Sequence, residues 1–197
     1  MRSFSESERS RIHRQIRETG RKLFARYGLR KTTISELTTP AGIAASTFYQ
    51  FYDSKEELYL ELLEAEGEEI AERLLAESFE RYDDPERAIE AFLLAVMEEI
   101  ETNPLVHQLM VGDDFEHLRA EFSEEEWATE QNRDIEYYLP YVEAWFEAGR
   151  IEGPSPEVVA HAVRSLAFLT LHEEDIPMYH DVKETLVSAV ARGLVAD

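Results

Sequence analysis

The chain has no cysteine among its 197 residues. That excludes a disulfide framework and any thiolate metal site, and leaves the redox compartment unspecified. No apolar run approaches the ~20 residues needed to span a bilayer, and the N-terminus lacks the hydrophobic stretch of a signal peptide. A soluble, cytoplasmic chain is expected, with no membrane partner. Missing too are a phosphate-binding glycine loop, a dinucleotide fingerprint and a Gly-x-Ser-x-Gly elbow. None of the six histidines has Glu three residues before it, which excludes the Glu-x-x-His pairs of a di-iron bundle. His172-Glu173-Glu174-Asp175 and Asp113-Asp114-Phe115-Glu116-His117 gather nitrogen and oxygen donors. Their adjacent positions point different ways on a helix, so both read as solvated acidic loops. The expectation is no enzyme, no cofactor and no metal.

Lysine is scarce as well, at four of the twenty cations, against forty-two Asp and Glu and a net charge of −22. That balance argues against a nucleic-acid partner until its distribution is considered. Residues 1–55 carry eleven Lys/Arg and five Asp/Glu, a net of +6, while residues 56–197 carry a net of −28. A basic end on an acidic body attracts phosphate at one place and repels it elsewhere, which orients an encounter with DNA. The acid excess fits either a halophilic cytoplasm or an ordinary acidic protein.

Around this basic end the chain has two short helical stretches separated by a turn. Thr32 or Thr33 can cap a first helix through Ile34 and Leu37. Ala41-Gly42-Ile43 supplies the turn, with Gly42 free to take a positive φ. Ala44 to Tyr52 makes a second helix, small and hydroxylated at its start and aromatic at its end. This is a helix-turn-helix outline, whose second helix offers its N-terminal side chains to base edges in the major groove. A plain helical hairpin has the same outline. Upstream, Ser3 to Tyr27 reads as one helix with Ile12, Ile16, Leu23, Phe24 and Tyr27 as its apolar stripe, closed by Gly28.

From Ile16 to Leu58 the sequence resembles the DNA-binding domain of the tetracycline-repressor (TetR) family of transcription regulators. The matching residues are Leu23-Phe24 with Tyr27-Gly28, Thr32-Thr33, Ala41-Gly42-Ile43, Thr47-Phe48-Tyr49 and Ser54-Lys55-Glu56-Glu57-Leu58. Chemistry and matched position together make Ser46, Thr47 and Gln50 the residues that reach base edges, with Ala45 against a thymine methyl group. The resemblance implies that Thr33, Tyr49 and Lys55 contact backbone phosphate, which positions without reading sequence. It also implies that Phe48 and Tyr52 pack inward. Two departures stand out: Thr38 and Pro40 replace small helix formers, and Pro40 is expected to end the first helix early. With no Arg or Lys in the recognition segment, bidentate guanine contacts are not expected from it.

The remainder reads as helix after helix, giving an all-α chain with a DNA-binding domain over 1–53 and a ligand-binding and dimerisation domain over 54–197. Ser54 opens a long helix to about Arg81. Asp84-Pro85 starts another, with Ala88, Phe92, Leu93, Val96 and Ile100 inward, and Asn103-Pro104 separates it from a short helix over Leu105 to Val111. Ser123 to Ala148 reads as one long helix bent at Pro140. Phe92, Trp127, Tyr138, Tyr141 and Trp145 are the candidates for a ligand pocket, or else form a core face with a wet aromatic edge. Ser155-Pro156 and Asp181 open two final helices with small and β-branched stripes. Val159, Val163, Leu166, Leu186, Ala189 and Val190 are the candidate dimer interface, unless the two helices pack only within the chain. The resemblance implies a homodimeric repressor released from a palindromic DNA operator by a small-molecule effector. The alternative is a helical small-molecule- or metal-binding protein, or an enzyme, that leaves its helix-turn-helix unused.

Overall fold

The computed structural model describes residues 4–111, 114–120, 122–123 and 132–196. Its described residues are helical, with a single antiparallel bridge between Ile151 and Val195. The chain parts into two compact units, Met1–Glu66 with Asn103–Glu121 and Gly67–Thr102 with Phe122–Asp197. The boundary thus falls inside a helix and not at residue 53, and the segment after Asn103 returns to the first unit.

In the first unit, α1 (Glu6–Lys31) starts at Ser5, whose side chain and Glu8 form a reciprocal capping box. Within it Gly28 breaks the helical geometry at φ 76°, ψ 171°, a region essentially reserved for glycine. α2 (Ile34–Thr38) is capped by Thr33, again with a capping box, from Glu36. It ends early, as Pro40 dictates. Thr39 nevertheless keeps right-handed helical geometry (φ −55°, ψ −47°), so the stop comes from the N–H that Pro40 lacks. The Thr38 and Thr39 hydroxyls donate to the carbonyls of Ile34 and Ser35 at 2.9 and 2.6 Å. The turn passes through Gly42 at φ 70°.

The second helix of the motif is shorter and tighter than its sequence suggests, a 3₁₀ segment over Ala45–Gln50. Next comes α3 (Lys55–Glu77), whose first turn is capped by the Ser54 hydroxyl accepting from the Glu57 N–H at 3.0 Å. It stops short of Arg81. α5 (Pro104–Val111) and α6 (Asp114–Arg119) complete the unit. Ile12, Ile16, Phe24, Leu37, Phe48, Leu58 and Tyr59 are its innermost residues, joined by Leu105 and Leu118. Each large side chain so buried is worth roughly 1.5–3 kcal/mol relative to exposure.

In the second unit α4 (Pro85–Thr102) is central, burying Ala88, Ile89, Phe92, Leu93, Met97 and Ile100. Val96, expected inward, is only half-buried, and Ile89 and Met97 take the stripe instead. The expected rod to Ala148 is interrupted: α7 (Arg133–Glu136) and α8 (Leu139–Glu147) are separate, with a turn at Tyr137–Tyr138. Pro140 stands in the first turn of α8, where its missing N–H is harmless, whereas in a continuous helix it would cost about 3 kcal/mol. α9 (Pro156–Ala167) is capped by Ser155, a 3₁₀ segment spans Phe168–Asp175, and α10 (Tyr179–Gly193) ends the unit. Both α9 and α10 pack on α4. Inside that packing Lys183 donates to both Glu101 oxygens at 2.9 and 2.8 Å, and the Tyr179 hydroxyl donates to Oε1. Burial first, then Glu101, push the Tyr179 hydroxyl above its usual range.

Candidate nucleic-acid interface

The 3₁₀ segment separates its two faces cleanly. Phe48 is fully buried and Tyr52 nearly so, their rings tilted against each other 5.6 Å apart, with Tyr49 edge-on to Phe48 from the surface. Ala45, Ser46 and Gln50 are exposed, Thr47 is half-buried, and Tyr49 is 58% exposed despite its size. An exposed ring and exposed hydroxyl and amide groups on one short segment form a surface able to meet base edges and phosphate together.

Beside it lies an open cleft of ≈ 330 Å³ whose lining includes Arg30, Thr33, Tyr49, Ser54 and Lys55. The three residues expected at phosphate therefore do share one place. Their chemistry there differs. Tyr49 presents its ring and hydroxyl to solvent. The Thr33 hydroxyl donates to Glu36 Oε2 at 2.6 Å while accepting from the Glu36 N–H at 3.3 Å. That hydroxyl, followed by the Thr33 amide, holds the Glu36 carboxyl below its ordinary range.

Lys55 is the correction. Its ammonium donates to the carbonyls of Leu29 at 2.6 Å and Thr32 at 3.1 Å, with Arg30 at 3.4 Å. An ammonium has three donors, and here each faces a carbonyl at the end of α1. Its placement is that of a helix C-terminal clamp, favoured by the negative end of the dipole, not of a side chain reaching out to phosphate.

The same residue, Leu29, is held at its other backbone group. Asp114 is 2% exposed, and its carboxylate accepts the Leu29 N–H at 2.8 Å. It crowds Gly28 so closely that an added Cβ would lie 2.8 Å from Gln108 and 3.1 Å from Asp114. Burial, and then the charge of Asp114, push the Tyr59 hydroxyl above its usual range. The reading of Asp113 to His117 as a solvated acidic loop thus fails at Asp114. Nothing in the spacing around Asp114 signals a partner 85 residues earlier. His117 lies 3.4 Å from Glu56, and Gly112 and Asp113 lie outside the described residues.

Two arginines counted toward the basic head turn to α3 instead. Arg17 pairs with Glu61 at 2.9 Å, and Arg21 forms a two-pronged bridge to Glu66 at 2.8 Å on each arm. These side chains tie α1 to α3, so the DNA-attracting charge is smaller than the count implies.

In the second unit four of the five pocket candidates do converge, around Phe79. Its ring lies 5.0 Å from Phe92, 6.1 Å from Tyr138, 5.3 Å from Tyr141 and 5.3 Å from Trp145. Tyr138 donates to the Ala160 carbonyl at 2.9 Å, and Tyr141 donates to Glu80 at the same distance. Trp127 lies outside the described residues. Of the dimer candidates, Val159 and Val163 are 1% exposed in this unit's own core, which removes them from any outer face. The phase of the helix is shifted by one residue, because Val159, Ala160, Val163 and Ala167 form the inward stripe. Val158 and Ala162 point outward, with Leu166 half-buried; on α10 Leu186 and Ala189 are exposed and Val190 half-buried.

Residues 16–62 match the family profile described as bacterial regulatory proteins, tetR family. No curated protein is similar enough to the chain to count as a relative. Among solved structures, a TetR-family transcriptional regulator from Pectobacterium atrosepticum is 18% identical at a TM-score of 0.72, covering 98% of this chain and 99% of its own. NalD of Pseudomonas aeruginosa, the secondary repressor of the MexAB-OprM multidrug efflux pump, is 20% identical at a TM-score of 0.61, covering 98% of this chain and 100% of its own. RolR, in complex with resorcinol, is 16% identical at a TM-score of 0.60, with coverages of 98% and 92%.

Proposed function

We propose that the chain is a ligand-released repressor, a DNA-binding transcription regulator of the TetR family, which the profile match over residues 16–62 and the likeness of its fold support. It works in the cytoplasm, as a homodimer on a palindromic operator, and is not an enzyme. The observation that carries this reading is the exposed row Ala45, Ser46, Tyr49 and Gln50 beside the cleft at Thr33, within residues 1–55, whose net charge of +6 is opposite to that of the rest of the chain. Tyr49 and the edges of the cleft meet phosphate. Ser46, Thr47 and Gln50 meet base edges, and Ala45 meets a thymine methyl group.

For the second copy, the outward stripes Val158, Ala162 and Leu166 on α9 and Leu186, Ala189 and Val190 on α10 supply small, apolar helix faces. Two such faces related by a two-fold axis bring two heads to half-sites a helical turn or more apart. The effector lodges by the ring cluster of Phe79, Phe92, Tyr138, Tyr141 and Trp145. It releases DNA only to the extent that it binds one state of the dimer more tightly than the other. The mutual packing of those rings favours one alternative, a regulator whose C-terminal unit only dimerises.

Selection of bound fragments from random DNA tests the first part. A palindromic consensus is expected, and recovery without any shared sequence overturns the reading. Thermal-shift screening followed by release from the selected fragment then separates the effector-responsive regulator from the purely dimerising one.

A further inference from the structure

The recognition segment is anchored at its middle by the buried Phe48, and less holds its two ends. Ala44 precedes it without a side-chain cap, and within six residues a 3₁₀ turn makes few bonds of its own. Its far end is instead held by the opening turns of α1. Arg9 donates from Nη2 to the Gln50 carbonyl at 2.8 Å, and its guanidinium lies 4.8 Å from the centre of the Phe51 ring. One turn later, His13 stacks on Tyr52 at 5.4 Å and 14°, with Nε2 2.9 Å from the Tyr52 hydroxyl. Phe4 adds a ring 6.4 Å from Phe51.

We propose that Arg9 and His13 are positioning residues for DNA recognition, which set the angle at which Gln50 and its neighbours meet the bases. The assignment rests on the reading of this segment as the base-contacting one. Arg9 belongs to the basic set that composition assigns to phosphate, yet its hydrogen bond goes to the backbone of the segment that reads sequence. Only a planar guanidinium can donate along its edge to a carbonyl while stacking its face on a ring. Loss of that hold frees the last turn to sample other geometries. The loss affects discrimination between sequences, because phosphate attraction does not depend on the exact angle of the segment.

The test uses the full chain and two duplexes, the fragment selected by the wild type and a scrambled one, titrated at several salt concentrations below the melting temperature. Arg9→Met is expected to lower affinity for the selected duplex by about tenfold, the size of one misread base pair. Affinity for the scrambled duplex and the salt slope should stay as in the wild type. Arg9→Lys, which keeps the charge and loses the plane, should behave like Arg9→Met, and His13→Phe, which keeps the stack, should lose less. Equal losses on both duplexes with a slope reduced by about one would make Arg9 a phosphate contact and overturn the proposal. A lower melting temperature with discrimination intact, or full rescue by lysine, would overturn it too. A wild type without sequence preference would sink the DNA-recognition reading and this assignment with it. Preference retained by Arg9→Met sinks the assignment alone.

Discussion

The two units of this chain use their polar groups differently. In the head, charged and hydroxyl side chains are bound to backbone. Thr33 caps α2, Lys55 closes the end of α1, Asp114 takes the Leu29 N–H, and Arg9 holds the Gln50 carbonyl. In the second unit a buried ion pair and a group of aromatic rings fill the interior, and Tyr141, Tyr179 and Lys183 bond to carboxylates. A head that must present a short segment at a fixed angle is stiffened bond by bond. A unit built on ring packing has fewer directional constraints, which suits the effector site proposed there.

That contrast can be broken by substitution. The largest effect is expected at Glu101→Ala, which leaves the Lys183 ammonium buried and unpaired at a cost of about 3–5 kcal/mol, read by urea unfolding. Glu101→Leu with Lys183→Met should recover most of that stability, and a double variant as weak as the single one would show that the pair is more than a self-satisfied bridge. Next is Gly28→Ala, which forces a side chain into a glycine-only backbone region against Gln108 and Asp114. A loss of about 1–3 kcal/mol is expected, and an unchanged melting temperature would remove the elbow from the account.

Lys55→Met follows. It removes charge-assisted bonds from the carbonyls of Leu29 and Thr32, for about 1.5–3 kcal/mol at most and less where the group is half-exposed. Melting should fall while the salt slope of DNA binding changes by less than one. A full unit lost at unchanged melting would return Lys55 to phosphate. The smallest effect concerns Glu36, whose carboxyl is held below its ordinary value by Thr33. A lowered folded-state value gives stabilisation that is present above the unfolded value and lost as pH falls through the folded one. Amide exchange at Thr33 and Glu36 should therefore quicken as pH is lowered from about 5 to about 3, below the usual glutamate range. Thr33→Val should abolish that dependence.

The head was legible because its signals are local. Caps, turn glycine and the alternation of Phe48 and Tyr52 with exposed neighbours all lie within a few residues of what they act on. Lys55 and Asp114 were misread for the opposite reason, since their partners lie 26 and 85 residues away. The second unit shows both outcomes. The aromatic residues on α4 and α8 do converge, although Phe79, on which they close, carried no periodic signal. On α9 a one-residue error in phase exchanged Val159 and Val163 for Val158 and Ala162. In a helix of twelve residues rich in Ala and Val, inward and outward stripes differ too little in composition to fix that phase. The break before α8 was visible only as Pro140, because a proline fits equally in a bent rod and in a first helical turn.

Titration of the full chain with its selected duplex and with a scrambled control, across a range of salt, is the most direct test of the account. The account predicts tighter binding to the selected sequence at every salt concentration, with both affinities falling steeply as salt rises. Equal affinity for the two duplexes, or binding to neither while the protein is folded, would contradict it.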